Sequence, residues 1–413
     1  MATHHLIERR ASTASLLPFL GLSAYLVTSI FYIFPSGTPQ PADFLLMFTI
    51  IATLLVAWRR APNEPVLYIA LALFSGWIVL VNVVWFFISP DFVFLKKTSF
   101  YLFNMMVFLF VITAGYHDFE RLKVVVWWSC VIALLSQLLY LEFVFHGVGK
   151  RATGTFNNPN QLGYWALLLM ACLAVVKERA PLRPLDILAL GAGFYVLMLS
   201  LSKAASISGT VLILLIIAFC RLQRASGLVL SVLLVLGLVF QIATGGLVER
   251  FMSFEPVTNL EHRLSGLGKQ EDDSLFHRGY IRLIQNPQYL AFGAGEGGFE
   301  RLTQDADMQS KELHSTLGTV LMSYGLIGLG LFATLMLAIF GRAPAASIAY
   351  LVPVMMYSVT HMGLRFSEFW VFLGLVYAQS RFGTWGRPAI PSDWSAADRL
   401  ATGRADLAAR STE

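Results

Sequence analysis

The sequence predicts an all-α protein that crosses a membrane several times, and three observations support this fold class. Hydrophobic residues make up 56% of the 413 residues and charged residues only 13%, whereas a soluble domain carries about 25% charged residues. The mean hydropathy is +0.66. Apolar runs close to the ~20 residues that a spanning helix needs recur along the chain between polar loops. This composition excludes an ordinary soluble enzyme.

Twelve spanning helices are predicted from these runs. No cleavable signal peptide is evident, and the first run is long enough to act as an uncleaved anchor. The predicted spans are 13–34, 43–58, 66–89, 100–115, 123–146, 161–176, 185–201, 205–220, 226–244, 315–341, 345–361 and 366–380.

The predicted spans divide the chain into four regions. Residues 1–244 contain spans one to nine with short loops, and residues 245–313 form a large polar loop in which we expect short helices. Residues 314–380 contain the last three spans. Residues 381–413 form a polar tail that we expect to be partly disordered.

Lysine and arginine in short loops predict the orientation, because these residues concentrate on the cytoplasmic side of membrane proteins. Basic residues occur in the N-terminus, in every second loop and in the tail, namely Arg9, Arg10, Arg59, Arg60, Arg121, Lys123, Lys177, Arg179, Arg183, Arg221, Arg224, Arg342, Arg381 and Arg387. Both termini are therefore predicted to be cytoplasmic, and the 245–313 loop is predicted to lie outside.

Several basic residues fall on the predicted outer side, where they are normally scarce. Besides a cluster in the large loop, they are Lys96, Lys97, Lys150, Arg151, Lys203 and Arg365. Lys203 lies in the tight turn "LSLSKAASIS" between two apolar runs, where a cation needs a partner. One interpretation is an anionic ligand held at the outer face. The alternative is ordinary interfacial cations, which suits Lys96 and Lys97 better.

Almost no acidic residue is predicted in the middle of a span. Proton- and sodium-coupled transporters usually need such a carboxylate or an interrupted helix at the midplane. This absence counts against a coupled transporter, although a transporter or flippase for an anionic lipid-linked sugar stays an alternative.

The stretch "KRATGTFNNPNQLGYW", 150–165, precedes the sixth span on the outer side. Asn158 and Asn160 flank Pro159 in a turn rich in side-chain amides, and a helix should begin near Asn160 or Gln161. Such amides can cap the helix or bind sugar hydroxyls.

The stretch "SLFHRGYIRLIQNPQYLAFGAGEGGFERL", 274–302, lies in the large loop. A helix is predicted over 274–285, with Arg278 and Arg282 on one polar face and Asn286–Pro287 as its end. "GAGEGG" has no strand before it and no GK[ST] after it, so a flexible connection is predicted rather than a nucleotide-binding loop.

The stretch "KELHSTLGTVLMSYGLIGLG", 311–330, predicts a helix that begins near His314 or Ser315, with Ser315 as a suitable cap. The partial positive charge of a helix N-terminus attracts anions such as a diphosphate. It also favours a neutral His314, which suits a proton acceptor. Glycines along the run allow close helix packing.

These stretches together resemble the O-antigen ligase and polymerase superfamily. His314–Ser315, nine residues and then Gly325-x-x-Gly328 resemble the ligase motif H-[NSQ]-x9-G-x-x-G. "ATGTFNNPNQLG" resembles the family's GTFxNPN stretch, and "SLSKAA" stands where members often show SRGA. "HRGYIRLIQNPQYLAFGAGEGGF" is similar to the family's R-x-x-x-W…hP-x-x-G-x-G-x-x-F loop but lacks its Trp. The resemblance covers about residues 150–380.

The resemblance implies a metal-independent, inverting glycosyltransferase of GT-C-like architecture in the bacterial inner membrane. The donor would be a glycan on undecaprenyl diphosphate. The acceptor would be lipid A–core for a ligase, or a lipid-linked glycan for an O-antigen or exopolysaccharide polymerase. His314 would be the catalytic residue and Arg278 would bind the diphosphate. Lys203 stands where the family often has Arg, and lysine lacks the bidentate phosphate contact.

Further substrate contacts are expected around this centre. Beside Asn158 and Asn160, the basic rim is expected to include Arg151, Arg282, His361 and Arg365. No cofactor and no nucleic-acid partner are expected. Asp305 and Asp307 keep a metal-dependent alternative open. A structural subunit of a synthesis complex is the third class of function, for which these residues would be dispensable.

Overall fold

The computed structural model describes residues 16–35, 37–56, 61–144, 151–178, 180–220, 279–302 and 313–383. Within these ranges the protein is all-α, as predicted, with no β-strand. Its helices are α1 (Leu17–Thr28), α2 (Pro41–Val56), α3 (Pro65–Ile88), α4 (Val93–Phe143), α5 (Pro159–Val176), α6 (Pro184–Leu199), α7 (Lys203–Phe219), α8 (Ile281–Gln285), α9 (Thr316–Phe340), α10 (Ala345–Ser358) and α11 (Ser367–Phe382).

A helix occupies every predicted span that falls within the described residues; the predicted span 226–244 lies outside them. Four helices, α3, α4, α5 and α9, are long and apolar enough to cross a membrane. Shorter apolar helices accompany them, namely α1, α2, α6, α7 and α10. A membrane protein with several apolar helices is therefore supported, whereas the count of twelve spans and the GT-C-like architecture stay predictions.

Helix α4 combines two predicted spans. Its 51 residues are continuous except at Asp118, whose backbone is non-helical with φ −159° and ψ 88°. The Asp118 carboxylate accepts the amide N–H of Arg121 at 2.9 Å, so this residue caps the second half of the helix. The kink separates the predicted spans 100–115 and 123–146.

The core of the bundle is built around α5 and α11. Every residue of α5 from Leu162 to Val176 is buried, and α11 is buried from Ser367 to Gln379. Helix α5 packs against α4, α6, α7, α10 and α11. A helix that is apolar all round belongs in such a central position. The peripheral helices expose apolar side chains, among them Phe48 and Leu55 of α2, as expected for helices that face lipid.

Helix α9 is interrupted at Gly325, which has φ +70° and ψ −172°. The break leaves carbonyl groups of the preceding turn without their usual helical donors. The carbonyl oxygens of Met322 and Ser323 accept amide N–H groups from Ala294 and Gly295, each at 2.9 Å. The indole N–H of Trp77 donates to the Tyr324 carbonyl at 2.8 Å.

The "GAGEGG" segment is therefore docked into α9, and the prediction of a flexible connection was wrong. On the other side of the break, the amide N–H of Leu326 donates to the Leu290 carbonyl at 2.7 Å. A Cβ at Gly325 would lie 2.3 Å from the Ala291 carbonyl oxygen. Of the predicted helix 274–285, residues 279–285 are described. Gly279 has φ +79° and forms a turn with Tyr280, so α8 begins only at Ile281, and the prediction of a helix through Gly279 was wrong. The helix ends at Gln285 before Asn286–Pro287, as expected.

Candidate functional site

A cavity of about 950 Å³ opens at one end of the bundle. Its wall is formed by the first residues of α2, α4, α5, α7 and α11, the end of α1, the residue before the cap of α9 and the segment after α10. We call this the cavity end. A cavity of this size is typical of a ligand site.

Seven of the predicted site residues line this one cavity, namely Arg151, Asn158, Asn160, Lys203, His314, His361 and Arg365. Residues far apart in sequence are thus brought together by the packing of the helix ends. Arg282 lies elsewhere: it is fully buried in α8 and is not part of the cavity wall. Arg278, Asp305 and Asp307 fall outside the described residues.

Lys203 is the first residue of α7, directly after the turn that ends α6. Leu201 in this turn has φ 49°, a left-handed conformation that a leucine rarely adopts. The loop before α5 stabilises this turn, because its Arg151 Nε–H donates to the Ser200 carbonyl at 3.1 Å. Arg151 also donates from Nη2 to the Asn160 side-chain oxygen at 2.6 Å. These contacts fix Arg151 and the Asn160 amide against the turn after which Lys203 begins α7.

Asn158 is the N-cap of α5, with Pro159 as the first helical residue. The Asn158 side-chain oxygen accepts the amide N–H of Asn160 at 2.8 Å. The Asn160 carbonyl accepts the hydroxyl of Tyr357 at 2.6 Å. The predicted helix start is confirmed to within two residues. Asn158 both caps α5 and lines the cavity. Its role as a cap therefore does not exclude a contact between this amide and a ligand.

Ser315 caps α9 as predicted, since its hydroxyl accepts the amide N–H of Gly318 at 3.1 Å. His314 precedes the cap and lines the cavity with its side chain exposed. Thr316 ties the neighbouring segment to this helix end: its hydroxyl donates to the His361 carbonyl at 3.0 Å and accepts the Gly363 amide N–H at 2.8 Å. The start of α9 therefore positions both histidines.

His361 lies at the end of a row of aromatic rings. Its imidazole stacks on Tyr357 with ring centroids 4.6 Å apart, and Tyr357 stacks on Tyr164 at 4.7 Å. The imidazoles of His361 and His314 are 6.4 Å apart and nearly parallel. From the sequence, His361 was predicted only as a member of the basic rim. No local sequence pattern indicates that its imidazole lies beside that of His314.

Several charged residues of the site were not predicted from the sequence. Lys96 and Lys97, interpreted as interfacial cations, line the cavity. Phe100 and Asn104, which also line the cavity, follow Lys96 by one turn and Lys97 by two turns of α4, so all four share one side of the helix. This helical spacing is the signal in the sequence that could have identified the two lysines. Asp43 and Glu368, in the first turns of α2 and α11, also line it.

Glu296 is the other residue that was missed. It is fully buried, and its Oε1 accepts Nε–H and Nη2–H of Arg365 at 2.9 and 2.6 Å. Nothing in the sequence "GAGEGG" indicates that its glutamate pairs with Arg365, which lies 69 residues away.

Beside the carboxyl groups of Asp43 and Glu368, the cavity wall provides three kinds of chemical group that suit a phosphorylated sugar ligand. Cationic side chains can bind and neutralise an anion such as a phosphate ester. Asparagine amides can hydrogen-bond sugar hydroxyls. A neutral imidazole can accept a proton. Among the described residues no three His, Cys, Asp or Glu side chains are grouped as a metal site. Neither protein-family models nor curated protein sequences match this chain.

Proposed function

We propose that this protein transfers a glycan from a polyprenyl diphosphate, of the undecaprenyl type, to an acceptor hydroxyl at the outer face of the bacterial inner membrane. The single observation that carries the proposal is the convergence of Lys203, Arg151 and His314 on one cavity in a protein built of apolar helices. The resemblance of the stretches that carry His314 and Lys203 to motifs of O-antigen ligases and polymerases supports it.

The donor must arrive already activated, because nucleotide sugars are not available outside the cell. A glycosyl diphosphate lipid provides this activation, since the lipid diphosphate is a good leaving group. Its negative charge increases as the bond from C1 to the diphosphate oxygen breaks. Preorganised cations stabilise such charge strongly in a site shielded from water. Lys203, Arg151 and the N-terminus of α9 are proposed for this role, together with Arg278.

His314 is proposed as the general base. Its imidazole takes the proton of the acceptor hydroxyl while that oxygen attacks C1, and the diphosphate leaves with the electron pair of the broken bond. Attack opposite the leaving group inverts the configuration at C1, and no metal ion is needed. Asn158 and Asn160 are proposed to bind sugar hydroxyls beside the reacting carbon.

The acceptor distinguishes a ligase from a polymerase, and the surface polysaccharide of a His314→Ala strain distinguishes them experimentally. A ligase variant loses long chains from lipid A–core while lipid-linked polymer accumulates. A polymerase variant leaves a single repeat on the core. His117→Ala is the matched control, because His117 is exposed near the kink of α4 and does not line the cavity.

The proposal fails if the polysaccharide of the His314→Ala strain is unchanged. It also fails if the purified protein in vesicles moves a lipid-linked sugar across the bilayer without forming a glycosidic bond, which would make the protein a flippase.

A further inference from the structure

The carboxylate of Glu296 is enclosed between α3, α4, α9 and the segment that follows α10. Its Oε2 accepts the hydroxyls of Tyr101 and Tyr324 at 2.6 and 3.2 Å. Its Oε1 accepts two N–H groups of Arg365. With both oxygens engaged and no exposed surface, the carboxylate has one position available to it.

The backbone of Glu296 is fixed as firmly as its side chain. Its amide N–H donates to the Asn82 side-chain oxygen at 2.9 Å. The glycines on either side have positive φ, 71° at Gly295 and 132° at Gly297, which only glycine adopts readily. A Cβ at Gly297 would lie 2.3 Å from a side-chain carbon of Val93. This segment can approach α3 and α4 only because the glycines lack side chains.

Arg301 closes the same segment from the outside. Its guanidinium lies over the ring of Trp85, 4.1 Å from the centroid, and donates to the Ala294 carbonyl. Cation–π contacts of this kind add stability where the cation is desolvated. The loop that carries Glu296 is thus anchored independently of Arg365.

Burying a Glu–Arg pair is a poor way to stabilise a fold, since the desolvation of both charges offsets much of their attraction. Arg365 is not enclosed like its partner: its side chain is 18% exposed, and it lines the cavity beside Glu368 and His361. The rigid partner therefore lies behind the cavity wall and the guanidinium lies in it. A two-bond contact to one carboxylate fixes the guanidinium plane as well as its location.

We propose that Glu296 is a positioning residue, which orients the guanidinium of Arg365 in the cavity wall so that it binds the diphosphate of the lipid-linked donor. The role in donor binding rests on the proposed function, whereas the orientation of Arg365 can be tested without it.

Chemical modification tests the orientation directly. The purified protein and its Glu296→Gln variant are treated with phenylglyoxal, and the modification of each arginine is followed by mass spectrometry. Removing the carboxylate charge should accelerate modification of Arg365 several-fold. The matched control is Glu64→Gln, because Glu64 also accepts two N–H groups of an arginine, Arg381 at the other end of α11, through its two carboxylate oxygens at 2.7 Å each. That variant should affect Arg381 alone.

An unchanged rate at Arg365 in Glu296→Gln would overturn the positioning role. Should this variant fail to fold, Tyr101→Phe keeps the charge but removes one of the bonds that hold it, and a smaller acceleration is expected. No acceleration in Tyr101→Phe would then overturn the role equally.

Binding of undecaprenyl diphosphate in detergent tests the role in donor recognition. Glu296→Gln and Arg365→Lys should each raise the Kd about tenfold, the effect of losing one charged hydrogen bond. The double variant should bind no more weakly than Arg365→Lys, since Glu296 acts through Arg365. Additive losses contradict this dependence. If the unaltered protein does not bind the lipid, the proposed function fails, while the modification experiment still decides whether Glu296 orients Arg365.

Discussion

Gly325 shows how a single residue connects the sequence motif to the site. Its positive φ ends the first segment of α9, and the carbonyls released there bind the segment that carries Glu296. From the sequence, the glycines of this motif were predicted to let another helix pack closely against α9. Gly328 fits that prediction, because a Cβ there would lie 3.2 Å from Trp77 of α3. The role of Gly325 is different and depends on its backbone conformation.

Replacing Gly325 by alanine should destabilise the protein by about 1–3 kcal/mol or more, because alanine adds strain at positive φ. The added Cβ would also collide with the Ala291 carbonyl. Gly330→Ala in the same helix is the control, since a Cβ there meets no atom within 4 Å. That change should leave stability equal or raise it by about 0.5–1 kcal/mol. Thermal unfolding in detergent measures both, and equal melting temperatures for the two variants would contradict this explanation of the motif.

The hydroxyl of Thr316 is predicted to matter for turnover, because it joins the His361 segment to the start of α9. Thr316→Val keeps the shape but removes both hydrogen bonds, so we expect glycan transfer to fall about tenfold in kcat. Affinity for undecaprenyl diphosphate should change little. Thr334→Val removes a hydroxyl that bonds only within α9 and serves as the control. An equal loss in both variants would show that the effect is on the helix rather than on the site.

At the scale of elements, the apolar runs predicted the helices well, since each one needs a continuous apolar surface. What the runs did not reveal is how helices end and join. The cap of α9 at Ser315 and the start of α5 were predicted because their signals are local. The docking of residues 293–297 into α9 was missed, because it depends on carbonyls released by a distant break.

A buried ion pair joins α5 to α6 at the end opposite the cavity. Lys177 and Asp186 are 2.8 Å apart, Asp186 is fully buried, and the indole N–H of Trp127 also donates to its carboxylate. Asp186→Asn leaves a buried lysine without its counter-ion, so stability should fall by about 3–5 kcal/mol. Glu120→Gln is the control. It breaks the exposed pair with Lys123, which should cost about 0–1 kcal/mol. Equal unfolding temperatures for the two variants would contradict this account of the joint.

At the scale of the whole molecule, the helix packing brings residues from 25 to 368 to one cavity. The sequence could predict part of this, because cations on the side where they are normally scarce pointed to one face. It could not identify the carboxylates or the partner of Arg365. Asp43 and Glu368 occupy ordinary first-turn positions, and the Glu296–Arg365 contact exists only in the folded chain.

The central claim is that this cavity holds a lipid diphosphate beside His314, and an experimental structure with undecaprenyl diphosphate tests it most directly. We expect cryo-electron microscopy of the complex in a lipid nanodisc to place the phosphate groups in the cavity, within hydrogen-bonding reach of Lys203 and Arg151. The lipid chain should extend into the bilayer from the same end of the bundle. Phosphate density elsewhere on the protein, with the cavity occupied by something else, would contradict the account.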